Sequence, residues 1–150
     1  MRLRASDREM KRAYKAHREA GANRLQGLLQ PGGSKTQPRD RVRGMLLCYA
    51  AECGLKYAVM RREALDDTSL LTPTHCGQDG HDLRKLLQRL KVGHSVFLRL
   101  PEARTANNKG EKVGPSSYHQ AWRFGIDITD EEKIQEVFGK VFEWLDRELG

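Results

Sequence analysis

The chain has little cysteine, few aromatic residues and no long apolar run, and each shortage removes a class of protein. Its three cysteines, Cys48, Cys53 and Cys76, are too few and too odd in number for a disulfide scaffold. Two of them fall in an apolar helical run, where a free thiol acts as a small hydrophobe, so a reducing cytoplasm is expected. No stretch approaches the roughly 20 apolar residues of a membrane span. The start, Met1-Arg2-Leu3-Arg4-Ala5-Ser6-Asp7, has positive charge but no apolar segment behind it, so neither a leader nor membrane attachment is expected. Aromatic residues are not interleaved with the arginines as a base-stacking surface would require. The sequence lacks a glycine-rich phosphate loop, a serine-nucleophile motif and a paired-carboxylate signature, and no cofactor is expected. His75, Cys76 and His81 share one loop, which invites a zinc reading. Cys48 and Cys53, however, lie about 140° apart around a helix, too far to share one ion, and no metal is expected.

What the chain does have is length and segregated charge. At 150 residues it fits one domain, residues 1–150, that can bury a core without metals or disulfides. The formal net charge is +7, yet residues 1–43 hold 12 Lys and Arg against 4 Asp and Glu, while residues 44–150 hold 15 against 16. The excess is therefore N-terminal. Residues 84–123 are again basic, 9 against 2, and residues 126–150 acidic, 8 against 3. Such segregation can steer an anionic partner. The N-terminal cations Arg2, Arg4, Arg8, Arg12 and Lys15 are the candidate nucleic-acid contacts; a merely solvated basic helix face is the plainer alternative.

Hydrophobic periodicity predicts a mainly α fold, a single bundle of four to five helices. After a short tail, residues 1–5, Ser6 and Glu9 form a capping box, and Met10, Tyr14, His17, Gly21, Leu25 and Leu28 lie on one face, giving a first helix over about residues 6–30. Pro31-Gly32-Gly33 and Pro38 break it. A second helix, about residues 40–63, is apolar nearly all round in its centre and should be the buried one. A loop over residues 66–80 precedes a third helix, started by Asp79 with Asp82 and stopped by Gly93. Residues 95–100 and 121–128 are predicted to pair as a short two-stranded hairpin, the latter from the alternation of Trp122, Phe124, Ile126 and Ile128. Residues 102–117, polar and without periodicity, read as a mobile loop. A Thr129–Glu132 capping box and the stripe Ile134, Val137, Phe138, Val141, Phe142, Leu145 and Leu149 define the last helix.

Glu52 and Lys56 stand one helical turn apart in the most apolar helix, and His81 opens the third. A carboxylate there is costly unless neutralised. A structural polar centre is therefore expected, with Glu52, Lys56, His81, Arg84 and Arg123 as its members. A substrate-contacting site is the alternative use of the same residues.

Three segments carry a family likeness: Ala50-Ala51-Glu52-Cys53-Gly54-Leu55-Lys56-Tyr57, then His81-Asp82-Leu83-Arg84-Lys85-Leu86-Leu87, then Trp122-Arg123-Phe124 ahead of the amphipathic last helix. In order and spacing, over about residues 6–150, this resembles the HEPN superfamily. The resemblance implies a bundle of four or five helices, often dimeric, linked to RNA metabolism, toxin–antitoxin pairs and antiviral defence, and in many members paired with a nucleotidyltransferase. Other members are metal-independent ribonucleases, with an arginine and a histidine separated by four to six residues near the last helix, assembled across a dimer. This chain departs from that pattern: Arg12–His17 and Arg89–His94 fit the bare spacing, but the last helix holds no histidine and Leu90 follows Arg89. With 17 arginines and 5 histidines in 150 residues, composition alone produces about as many such pairs.

The reading that follows is a cytoplasmic bacterial HEPN-like subunit without nuclease chemistry of its own. It would bind or assemble in a defence or toxin–antitoxin system as a homodimer, with a protein partner such as a nucleotidyltransferase or nuclease component. RNA or DNA would touch its basic N-terminal region. One alternative is a dimeric ribonuclease using Arg89 and His94, with histidine as acid and base and arginine on the phosphate. Another is a purely structural oligomer.

Overall fold

The computed structural model describes residues 4–29, 41–92 and 99–149. Among them six α-helices occur: α1 (Asp7–Leu29), α2 (Arg41–Arg62), α3 (Pro73–Cys76), α4 (Leu83–Arg89), α5 (Tyr118–Arg123) and α6 (Glu131–Leu149). Strands β1 (Ala103–Arg104) and β2 (Lys112–Val113) lie between α4 and α5. The mainly helical class is as expected. The helices number more than four or five because α3 and α5 form where a loop and an extended segment were predicted. No helix among the described residues is long and apolar enough to cross a membrane. The breaker segment around Pro31 and Pro38, and Gly93, lie outside the described residues.

Helix α2 is the axis of the fold, packed by α1, α4, α5 and α6. Its apolar centre makes this necessary, since a helix without a polar face is stable only when covered. Ala50, Ala51, Leu55, Val59 and Met60 are essentially inaccessible. The helices close on α2 through its small residues. A Cβ placed on Gly54 would stand 2.5 Å from Leu145 Cδ1 and 2.9 Å from Tyr14 Cδ1, so α1 and α6 both meet α2 at that point. A Cβ on Gly44 would stand 3.0 Å from the Trp122 ring of α5.

The helix starts are set by local polar groups, which satisfy otherwise orphaned backbone donors. Ser6 Oγ accepts the Glu9 N–H at 3.2 Å, the first half of the expected capping box, while the Glu9 carboxylate takes the Ser6 hydroxyl at 3.2 Å rather than its backbone N–H. Asp82 Oδ1 accepts from the Arg84 and Lys85 amides and starts α4. The last helix departs from expectation. Thr129 is spent elsewhere, its Oγ1 accepting the Arg104 N–H at 2.9 Å and donating to Asp130 Oδ2 at 3.0 Å, so the Thr129–Glu132 box is not formed.

The hairpin is also displaced. β1 and β2 pair antiparallel, Ala103 with Val113 and Arg104 with Lys112, inside the segment read as a loop. Residues 95–98 lie outside the described residues. Residues 126–128 pair instead with the far edge of β1, through a Thr105–Ile128 bridge and an Ala106 N–H to Asp127 carbonyl bond of 2.8 Å. The polar residues between the strands are turn formers: Thr105 Oγ1 accepts the Glu111 N–H and donates to Asn107 Oδ1, which accepts the Lys109 N–H. The alternation at residues 121–128 misled because 121–123 belong to α5, which buries Trp122 and leaves Phe124 63% exposed.

Two glycine substitutions separate packing from propensity. Gly54→Val should lower stability by about 2 kcal/mol through overpacking against Leu145 and Tyr14. Gly139→Ala, on α6 where an added Cβ meets nothing within 4 Å, should raise it by about 0.5–1 kcal/mol. Denaturant midpoints of the two variants check both signs.

Candidate functional site

Glu52 projects from the middle of α2 and is 8% exposed. Two basic side chains meet it. Lys56, one turn on, approaches Oε2 at 3.0 Å, and His81 Nδ1 lies 2.8 Å from Oε1. Burial pushes the Glu52 carboxyl up, but the His81 hydrogen bond and the Lys56 and His81 charges outweigh it and hold the group below its ordinary range. The same environment quiets Cys53: burial first, then the Glu52 charge, raises its thiol to about 11. A nucleophilic role for that sulfur is disfavoured accordingly.

His81 reaches α2 because of the turn before it. Gly77 and Gly80 both adopt positive φ, 81° and 80°, which side chains resist. The Gly80 N–H returns to the Gly77 carbonyl and the Asp82 N–H to the Cys76 carbonyl. The chain thus doubles back, presents His81 to Glu52 and enters α4. On its other side the His81 ring packs at 4.6 Å on His119 of α5. His119 in turn lies 6.1 Å from Tyr49, and Tyr49 5.8 Å from His17. Four rings from α1, α2, α5 and the α3–α4 turn therefore run in series. His119 is 5% exposed, and burial, then the neighbouring His81, holds its pKa below the ordinary value.

Of the five residues assigned to the polar centre, Glu52, Lys56 and His81 come together. Arg84 and Arg123 do not hydrogen-bond to Glu52. Arg84 donates through Nη2 to the Leu100 carbonyl at 3.3 Å, and Arg123 lies over the Phe124 ring, 5.4 Å from its centroid. The physical reason is saturation: with both oxygens of Glu52 already engaged by Lys56 and His81, an arginine brought in as well would add desolvation cost for little attraction. His119, which no spacing rule linked to the centre, takes the remaining side of His81.

A second polar cluster, around Glu63, holds the C-terminal end of α2. Arg89 grips Glu63 with two hydrogen bonds, Nε to Oε2 at 2.8 Å and Nη2 to Oε1 at 2.6 Å, and His75 Nε2 lies 3.3 Å from Oε1. The Thr72 N–H donates to His75 Nδ1 at 2.9 Å, so the ring proton sits on Nε2 and faces the carboxylate. The Arg89 hydrogen bond is the main reason the Glu63 carboxyl falls to about 2, with His75 adding to it. Arg89 is therefore a structural clamp between α2 and α4, and His94 lies outside the described residues. Arg12 is exposed while His17, five residues on, packs its ring on Tyr49.

Among the N-terminal cations, Arg2 lies outside the described residues. Arg4 is exposed and its charge acts on Asp67. Arg8, Arg12 and Lys15 are exposed and fall within about 60° of one another around α1; Glu19 continues the same face. Among the described residues no group of three His, Cys, Asp or Glu side chains could hold a metal ion. No family model, curated protein or solved structure matches the chain.

Glu52→Gln removes the charge that Lys56 and His81 compensate and should cost on the order of 2 kcal/mol in chemical denaturation. Acid should act on His119 first. Its folded value lies below the ordinary 6.5, so its contribution is complete above that value and is lost as the pH falls beneath it. The Glu52 contribution is present above its ordinary 4.5 and is lost only as the pH drops further, through its lowered folded value. His119→Asn should therefore flatten the stability profile between about pH 7 and pH 5, and Glu52→Gln the profile below about pH 4.5. An unchanged profile in either variant would contradict the corresponding assignment.

Proposed function

We propose that the chain is a non-catalytic helical binding or assembly subunit whose α1 contacts the backbone of RNA or DNA. The observation that carries this reading is the exposed cationic row Arg8, Arg12 and Lys15 along one face of α1. Phosphate contacts need little more than accessible Lys and Arg at spacings that follow a strand, and they supply affinity without sequence preference.

The HEPN kinship is proposed on the same footing. It is supported by the contact between Glu52 of α2 and His81 before α4, two residues that the resemblance sets at the heart of its motifs, and by α6 following α5 in the implied order. A non-catalytic role is favoured over a ribonuclease by the use of Arg89: a guanidinium whose charge is already offset by a carboxylate of its own fold has less to lend to a phosphate. Assembly as a homodimer or with a nucleotidyltransferase, in a bacterial defence or toxin–antitoxin setting, belongs to this proposal. Among the described residues, Leu70 and Phe124 are exposed apolar side chains that such contacts would cover.

Replacing Arg8, Arg12 and Lys15 together by alanine should weaken RNA binding and lower the slope of log affinity against log salt by about 2, the share expected of three phosphate contacts on a single strand. Retention on RNA or heparin that is unchanged by this substitution would favour the purely structural oligomer. Cleavage of RNA in the presence of chelator, abolished by His94→Ala, would replace the reading with the ribonuclease.

A further inference from the structure

Beside α2, the start of α1 and the segment joining α2 to α4 enclose a cleft of about 990 Å³, at the upper end of the range of small-molecule sites. Met10, Cys53 and Leu71 give it apolar lining, and Glu52, Lys56 and His81 supply the buried polar part. The polar part is not symmetric in what it can offer. Glu52 already engages Lys56 through one oxygen and His81 through the other. Lys56 has two more N–H donors, and His81 has Nε2 on the opposite ring edge from Nδ1. The His81 side chain is 40% exposed, so this ring is the member of the cluster that the cleft reaches most directly.

The charge balance selects the ligand. Because Nδ1 faces a carboxylate, Nδ1 carries a hydrogen, and an uncharged ring leaves Nε2 bare. Glu52 and Lys56 then cancel. For Nε2 to donate to a ligand it must also take a proton, and the cluster becomes +1, which one anionic group cancels in turn. A cationic ligand would meet Lys56 with the nearest carboxylate already engaged. We propose that this cleft binds a small organic anion, its acidic oxygens on Lys56 Nζ and His81 Nε2 and its apolar body on Met10 and Leu71, with uptake of one proton by His81.

The other groups around the ring are consistent with that coupling. His119 of α5 is buried against His81 and is the ring that stays uncharged when its neighbour gains a proton. Asp79, in the turn before His81, and Arg4 line the same cleft, and Arg123 and Asp79 are near enough for their charges to act on His119 behind the ring. Glu52, in direct contact, is the nearest charge to the ring. The site uses none of Arg8, Arg12 and Lys15, so it stands or falls apart from the nucleic-acid reading.

Isothermal titration of the full chain with naphthalene-2-sulfonate tests it, because this probe has an apolar body and does not itself titrate near neutral pH. Saturable binding with one site is expected, tightening by up to tenfold per unit as the pH falls from about 8 to about 6. Buffers of different ionisation enthalpy should report proton uptake. Lys56→Met should weaken binding at least tenfold. In His81→Asn the amide nitrogen takes the place of Nδ1 and retains the bond to Glu52 while Nε2 is deleted. That variant should melt near the parent, bind more weakly and lose the pH dependence. The proposal is overturned by absence of saturable binding in the millimolar range, by affinity that is independent of pH, by a folded His81→Asn variant that binds as the parent does, or by equal binding of the cationic naphthalen-2-ylmethylammonium.

Discussion

The fold turns on the burial of one carboxylate. Glu52 sits where α2 is otherwise apolar, and an ionised group taken from water costs several kcal/mol unless attraction and hydrogen bonding replace its hydration. Lys56 supplies part of that from the same helix. The rest comes from His81, 29 residues further along the chain, and can be delivered only if the intervening segment turns back. The positive-φ glycines, the short α3 and the Asp82 cap of α4 all serve that return. α5 then seals the arrangement by laying His119 on the far face of the imidazole. Four separate pieces of sequence are thereby held in register by the needs of a single charge.

Much of this was legible from residue order alone. The length of α2, its central burial, the pairing of Glu52 with Lys56 and the approach of His81 follow from a helical period and from the cost of an unpaired charge. The stripe of α6, buried from Ile134 to Leu145 with Leu149 half-buried at its end, follows from the same period. What could not be read were contacts decided by competition in three dimensions. Arg84 and Arg123 are no worse suited to Glu52 than His81 is by chemistry, and nothing in their spacing says that the carboxylate is already saturated. His119 carries no local signal at all. Its place next to His81 depends on how α5 packs on α2, and α5 itself is hidden because six residues are too few to show a helical period against an accidental alternation.

Polar stretches were the other source of error, for a physical reason. Over residues 102–117 periodicity is absent but order is not: Thr105 and Asn107 side chains bond the neighbouring backbone, and the Gly110 N–H returns to the Asn107 carbonyl. Hydrophobic pattern reports which face is buried; it is silent where order comes from side chain to main chain hydrogen bonds. The same blindness applies to Thr129, whose hydroxyl is claimed by the β1 backbone before it can cap α6.

The Arg89–Glu63–His75 cluster has a consequence for how the molecule forms. It ties the last turn of α2 to the last turn of α4 while Glu52 and His81 tie the middle of α2 to the residue before α4. The region from α2 to α4 is therefore closed at two points less than 40 residues apart in sequence, whereas α6 reaches α2 across a far longer span. Closing a short loop costs less entropy than closing a long one. The stretch from α2 to α4 is thus the part of the chain best able to gather first, and α6 the helix that must wait for a surface to dock on.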